Sequence, residues 1–185
     1  IIAVIPAKGH SKRLPNKNMQ IINGVPLIEY TINYVKKSKI INDFYVTTDS
    51  LEIQSYCEKK KIKFIIRPES LGGETPIIKV YKHFLSQAHL SKKIKILLGV
   101  QIDHPDRKVS LDQSLQIFLK EKADKLSSIA KNGDKNGAHY ILSKYFLETN
   151  QSRKDAIIID DCINIHYKKD LLQAEKILKS HEKNN

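Results

Sequence analysis

Tryptophan is missing from this chain, methionine occurs once and cysteine only twice. Cys57 and Cys162 cannot build the multi-bridge framework of a small secreted scaffold. Cys57 falls on the apolar face of a helical pattern and reads as a small core residue in a reducing cytoplasm. No apolar run approaches the ~20 residues of a membrane-spanning helix, and the first residues read as a core strand rather than a signal peptide. Acidic residues are also scarce: 20 against 32 Lys and Arg, for a net charge of +12. That excess admits nucleic acid, an anionic surface or a small anion as partner. The lysines are scattered near helix ends, however, and no basic ribbon interleaved with aromatics is present. A lysine-rich solvated surface is the plainer reading, so neither nucleic acid nor membrane is expected as a partner. With 185 residues and 41% hydrophobic content, residues 1–185 are expected to form one domain with a real core.

Strand and helix patterns alternate along the chain. Residues 1–6 form an apolar strand, and Pro26 is expected to open a helix that turns Ile28, Ile32 and Val35 inward. Strands at 44–47 and 62–66 flank a helix started by Asp49 and Glu52, with Ile53, Tyr56 and Cys57 buried. Thr75-Pro76 leads into a helix through Ile77, Tyr81, Phe84 and Ala88. Residues 94–100 make the clearest central strand, nearly continuous in apolar residues. Ser110 and Gln113 form a capping box before a helix that buries Leu111, Leu115 and Phe118. Beyond it the pattern loosens into short strands at 126–129 and 138–142, a turn at Asn132-Gly133-Asp134 and an apolar triplet at 157–159. Asp170 opens a last helix with Leu171, Ala174, Ile177 and Leu178 inward, and residues 180–185 read as a frayed end. Repeated strand–helix units predict an α/β fold, a Rossmann-like, mostly parallel sheet with helices on both faces. Ligands then bind at the carboxyl ends of the strands.

The most informative strand end is the first. The apolar run empties into residues 8–18, which carry one glycine, a serine and four cations, the layout of a loop that wraps a polyphosphate. It is neither the P-loop nor the three-glycine dinucleotide fingerprint. Two other strand ends carry polar residues: Thr47-Thr48-Asp49, and Gln101-Ile102-Asp103-His104-Pro105-Asp106-Arg107. A cationic loop and carboxylates on one sheet edge make a candidate nucleotide site.

These segments, in order, resemble the CMP-sugar synthetases, the cytidylyltransferases that activate acylneuraminate-type and deoxy-octulosonate sugars. Residues 7–18 are similar to their Ala-Arg-x-Gly-Ser-Lys-Arg-x-Pro-x-Lys-Asn loop, with Lys8 for the arginine and His10 for the glycine. Gly24-Val25-Pro26-Leu27-Ile28 resembles Gly-Lys-Pro-Leu-Ile, and Val46-Thr47-Thr48-Asp49 resembles Val-Ser-Thr-Asp. Arg67-Pro68-Glu69-Ser70-Leu71 resembles Arg-Pro-x-x-Leu, and residues 170–175 resemble the Asp-Leu-x-x-Ala-Glu of the last helix. The match is ordered over residues 1–90 and patchy afterwards.

The resemblance implies that CTP and a sugar acid are the partners, that CMP-sugar and pyrophosphate are the products, and that Mg²⁺ is the cofactor. It implies Lys8, Ser11, Lys12 and Lys17 on the triphosphate, Asn18 and Arg67 on the nucleotide, and Gln101 and Arg107 toward the acceptor. Lys17 and Asp103 are the implied catalytic pair, with Asp103 as metal ligand. The family's further carboxylates before the last helix are replaced by Asn164 and His166, with Asp160 and Asp161 nearby. The family's dimerisation arm is also missing before the strand that begins near Asn136, so a monomer or a dimer of another design is expected. Two alternatives stay open: a nucleotide-binding descendant without catalysis, and a nucleotidyltransferase for another nucleotide or acceptor.

Overall fold

The computed structural model describes residues 1–87 and 94–182. A seven-stranded sheet runs through it: β1 (Ile2–Ala7), β4 (Asp43–Thr48), β5 (Phe64–Ile66), β6 (Ile96–Gly99), β7 (Lys125–Ile129), β8 (Lys135–Ser143) and β9 (Asp155–Ile159). Their order is β5-β4-β1-β6-β8-β7-β9. Among the described residues only β8 runs against the rest; it pairs antiparallel with both β6 and β7, while β9 lies parallel to β7. A separate two-stranded hairpin, β2 (Ile21–Ile22) with β3 (Val25–Pro26), follows the first loop.

Side chains alternate across β1 and so feed two core layers. Ala3, Ile5 and Ala7 face the larger cluster, and Val4 faces the smaller one. The larger layer takes α1 (Leu27–Lys36), α2 (Leu51–Lys59), α4 (Leu111–Lys120) and α6 (Lys168–Glu182), through Ile28, Ile32, Ile53, Cys57, Leu115, Leu171 and Ala174. The opposite layer takes α3 (Ile77–Ser86) and α5 (Lys144–Thr149), through Tyr81, Phe84, Phe146 and Leu147. Helices cover both faces, as the alternating pattern predicts. The neighbour of β1 is β4 on one side and β6 on the other, so their carboxyl ends meet at the point where connections reverse direction.

Several local expectations shift. Pro26 is extended and caps α1 from the β3 hairpin strand instead of sitting in its first turn. Ser50, not Asp49, caps α2, accepting from the Ile53 N–H. Pro76 likewise precedes α3, which starts at Ile77. The Asp170 carboxylate accepts from the N–H groups of His166 and Tyr167, so it braces the start of α6 from within the first turn. Ser180 belongs to that helix. Ala88 and residues 183–185 lie outside the described residues.

Candidate functional site

The loop after β1 is held by its own sequence. Leu14 is buried in the larger core cluster, and Asn16, in the left-handed region at φ 49°, turns the chain into a short 3₁₀ helix, Lys17–Met19. That turn drives two polar side chains inward: Lys17 is 6% exposed and Asn18 5%. Asn18 Nδ2 donates to the Lys8 carbonyl at 2.8 Å and ties the loop to itself. Gly9 donates its N–H to Asp49 Oδ1 at 2.8 Å, and it passes so close to α2 that a Cβ there would lie 2.9 Å from Ser50 Cβ.

Arg67 forms the second wall. Its backbone N–H bonds to the Thr48 carbonyl, continuing the β4–β5 ladder, and its guanidinium is buried. Nη1 donates to the Thr47 carbonyl at 3.3 Å, and Nη2 meets Asp49 Oδ1 at 3.4 Å. Burial pulls the Arg67 pKa down while the Asp49 carboxylate opposes the shift, so the cation is retained. The chain then turns through Gly72 and Gly73, whose carbonyl accepts from Lys8 Nζ at 3.0 Å. Burial lowers the pKa of Lys8, and Lys17, Arg13 and Arg67 add to the effect against Asp103.

The third wall comes from the segment after β6. Asp103 Oδ2 lies 2.7 Å from Lys17 Nζ, which also donates to the Ile165 carbonyl at 3.1 Å. The Ile165 N–H in turn donates to the Asp103 carbonyl. Between these walls lies a cleft of about 320 Å³, whose lining includes Lys8, Lys17, Asn18, Arg67, Gln101 and Asp103. A smaller cavity of about 100 Å³ adjoins it through Lys8, Arg13, Lys17 and Asp103, and is reached by Ser11, Lys12 and His166.

The expected residues therefore separate. Lys8, Lys17, Asn18, Arg67, Gln101 and Asp103 come together in the main cleft, and Ser11 and Lys12 line the side cavity. Lys12 pairs with Glu74, both largely solvated. Arg107 does not reach the cleft. Its guanidinium donates to the carbonyls of Gln101, His104 and Ala138, and its plane lies over Tyr34 with Cζ 5.0 Å from the ring centroid. Bonded to three carbonyls and set against Tyr34, this cation holds the β6 loop in place and is not among the residues that line the cleft. Asp160 and Asp161 also stay out. Asp160 is buried against His139, with Nε2 2.8 Å from Oδ2, and accepts from the N–H groups of Lys108 and Val109. Burial pushes that carboxyl up, but the His139 and backbone hydrogen bonds outweigh it and keep the pKa low. Asp161 accepts from the Lys131 N–H. The sequence reading set Asp49 at a polar strand end on the site's edge but gave it no role; in the structure it bonds both the loop and Arg67. Its position at the carboxyl end of a strand was the available signal.

The residues around Asp103 do not suit Mg²⁺. That ion prefers several hard oxygen donors, usually one or two carboxylates with substrate phosphates. Here the one carboxylate is already paired with a buried ammonium, and the side chains flanking Ile165 are the Asn164 amide and the His166 imidazole, a poor ligand for a hard cation. Among the described residues no group of three His, Cys, Asp or Glu side chains is placed to hold a metal.

No helix among the described residues is long and apolar enough to cross a membrane. A family model for cytidylyltransferases matches residues 2–179. The N-acylneuraminate cytidylyltransferase of Escherichia coli O18:K1:H7 is 38% identical over 87 residues, 46% of this chain and 21% of that protein. The 3-deoxy-manno-octulosonate cytidylyltransferase of Thermodesulfovibrio yellowstonii is 27% identical over 72% of this chain and 53% of its own length. The chain thus spans between a fifth and about half of these curated relatives. A solved CMP:2-keto-3-deoxy-manno-octonic acid synthetase complexed with CTP shares the fold, with a TM-score of 0.79 at 12% identity over 97% of this chain and 98% of that one. With the family model running over nearly all of the sheet and its helices, the chain belongs to the cytidylyltransferase family.

Proposed function

We propose that this cleft binds CTP and transfers its CMP group to a sugar acid of the acylneuraminate or deoxy-octulosonate type, with release of pyrophosphate. The observation that carries the reading is the convergence of Lys8, Lys17, Asn18 and Arg67 on one cleft at the switch point of the sheet, in a chain of this family. The relatives named above act, by their names, on such sugars. In this reading the acceptor hydroxyl attacks the α-phosphorus, the bond to the bridging oxygen breaks, and pyrophosphate leaves while the hydroxyl proton passes to solvent.

The chain's own residues supply position and charge, the dominant factors in phosphoryl chemistry. Lys8, Arg13 and Lys17 face the region where the two cavities join and counter the triphosphate there. Arg67 Nε is buried with no hydrogen-bond partner among the described residues, and it is one of the guanidinium donors left for the nucleoside. Gln101, its backbone carbonyl fixed by Arg107, presents its amide to the acceptor side. A protein doing this chemistry works in the cytoplasm, where CTP is made, and feeds cell-surface glycan synthesis. A second reading, nucleotide binding without transfer, is favoured by Asn164 and His166 where the family carries carboxylates.

Pyrophosphate release, followed with CTP plus N-acetylneuraminate or the deoxy-octulosonate sugar and then with UTP, GTP and ATP, tests the proposal. CTP-selective release supports transfer; CTP binding without release supports the second reading. Arg67→Ala is expected to weaken CTP binding at least about tenfold, the effect of losing a buried charge-assisted donor.

A further inference from the structure

A nucleoside triphosphate brings several negative charges into a site, and something there must balance them. Enzymes that handle such ligands commonly recruit a divalent cation held between carboxylates and phosphate oxygens. In this chain the corresponding space is bounded by Asp103 on one side and by residues 163–166 on the other, and the two are tied by the hydrogen bond from the Ile165 N–H to the Asp103 carbonyl. A cation already sits between them. Lys17 Nζ is 2.7 Å from Asp103 Oδ2 and 3.1 Å from the Ile165 carbonyl, on a side chain only 7% exposed.

The geometry accounts for two of the ammonium's donors and leaves the third. An ammonium carries three N–H groups and accepts nothing, and the Asp103 and Ile165 contacts occupy two. Lys17 also lines both cavities, so the remaining donor is at the junction where phosphate would lie. Around it the main cleft sets four cations, Lys8, Arg13, Lys17 and Arg67, against two carboxylates, Glu74 and Asp103. A metal ion on Asp103 would have to share that carboxylate with the buried Lys17 ammonium or displace it, and an unpaired buried charge is costly.

We propose that Lys17 is the built-in cation of this site, and that it takes the place of a divalent metal in binding a nucleoside triphosphate. The inference rests on the nucleotide reading given above and narrows it: the ligand is the metal-free triphosphate, with Asp103 serving to hold Lys17 and not an ion.

Calorimetric titration of the full chain with CTP, in EDTA and again in excess Mg²⁺, separates the possibilities. The expected result is a dissociation constant in EDTA that is smaller than, or within about fivefold of, the value in Mg²⁺, below the usual coupling between linked ligands. Binding that Mg²⁺ tightens by more than that overturns the inference and leaves the nucleotide reading standing. No binding of CTP, UTP, GTP or ATP in either buffer overturns the nucleotide reading, and this inference with it. Lys17→Met, which frees the Asp103 carboxylate, should weaken CTP binding in EDTA by about tenfold or more, as expected for a lost charge-assisted contact. It should also make binding respond to Mg²⁺. Unchanged affinity of that variant in EDTA overturns the proposal. If Lys17→Met does not fold, Asp103→Asn keeps the ammonium and releases it from its partner. Binding in EDTA should then be as tight as in the parent or tighter, and a tenfold loss counts against Lys17 as the cation.

Discussion

Gly99 on β6 packs directly against Tyr81 of α3, and a Cβ at this position would collide with both the hydroxyl and the ring. The strand carries no side chain there because the aromatic ring fills the space, a common reason for glycine inside a strand. The Tyr81 hydroxyl is itself buried and has no hydrogen-bond partner among the described residues. Two opposite outcomes follow in urea unfolding. Gly99→Ala should destabilise by about 2–3 kcal/mol, since a packed interior yields little to an added methyl. Tyr81→Phe removes an unsatisfied polar atom while keeping the ring, and should be neutral or stabilising by up to about 1 kcal/mol. A strongly destabilised Tyr81→Phe would show that the hydroxyl has a partner.

Helix α4 is set by contacts that need no tertiary structure. Ser110 Oγ accepts from the Gln113 N–H, and Gln113 Oε1 accepts from the Ser110 N–H. Ser110→Ala should cost about 1 kcal/mol in the same unfolding assay, as loss of a helix cap does, and Asp112, beside the cap but bonded to Ser38 and the Lys39 N–H, should not rescue it. This capping box, the apolar steps of α1 and α3 and the continuous run of β6 were all legible in the sequence, because each is a local pattern. The direction of β8 was not, since it depends on pairing with strands that leave no mark on residues 135–143. The site divides in the same way. That residues 8–18 make a cationic loop at a strand end was readable from the residues themselves, while the inward turn that buries Lys17 and Asn18 was not. The fate of Arg107 was not readable, because residue type announces a cation while the carbonyls that hold it come from Gln101, His104 and Ala138. Asp160, likewise, is taken by His139, which lies on another strand.

Across the whole molecule, buried histidines set the acid response. His104 and His139 are both fully buried, and burial drives the pKa of each below its ordinary value, His104 to about 4. The unfolded chain takes up these protons near pH 6.5 while the folded chain resists, so stability is full above that pH and falls as the pH drops toward 4. His104 alone contributes roughly 3 kcal/mol to this loss. Below that window Asp124 adds a second loss, because hydrogen bonds from the Arg153 guanidinium hold its carboxyl well under the usual range. Urea midpoints measured from pH 8 to pH 4 should decline with a slope that His104→Gln flattens; an unchanged profile would place the sensitivity elsewhere. The contact between Lys17 and the Ile165 carbonyl spans 148 positions of the chain. During synthesis the first loop therefore leaves the ribosome long before the segment that completes its wall. A nascent chain carries its lysines before the cleft has its third wall, and the cleft is complete only when the segment before α6 closes over a loop made first.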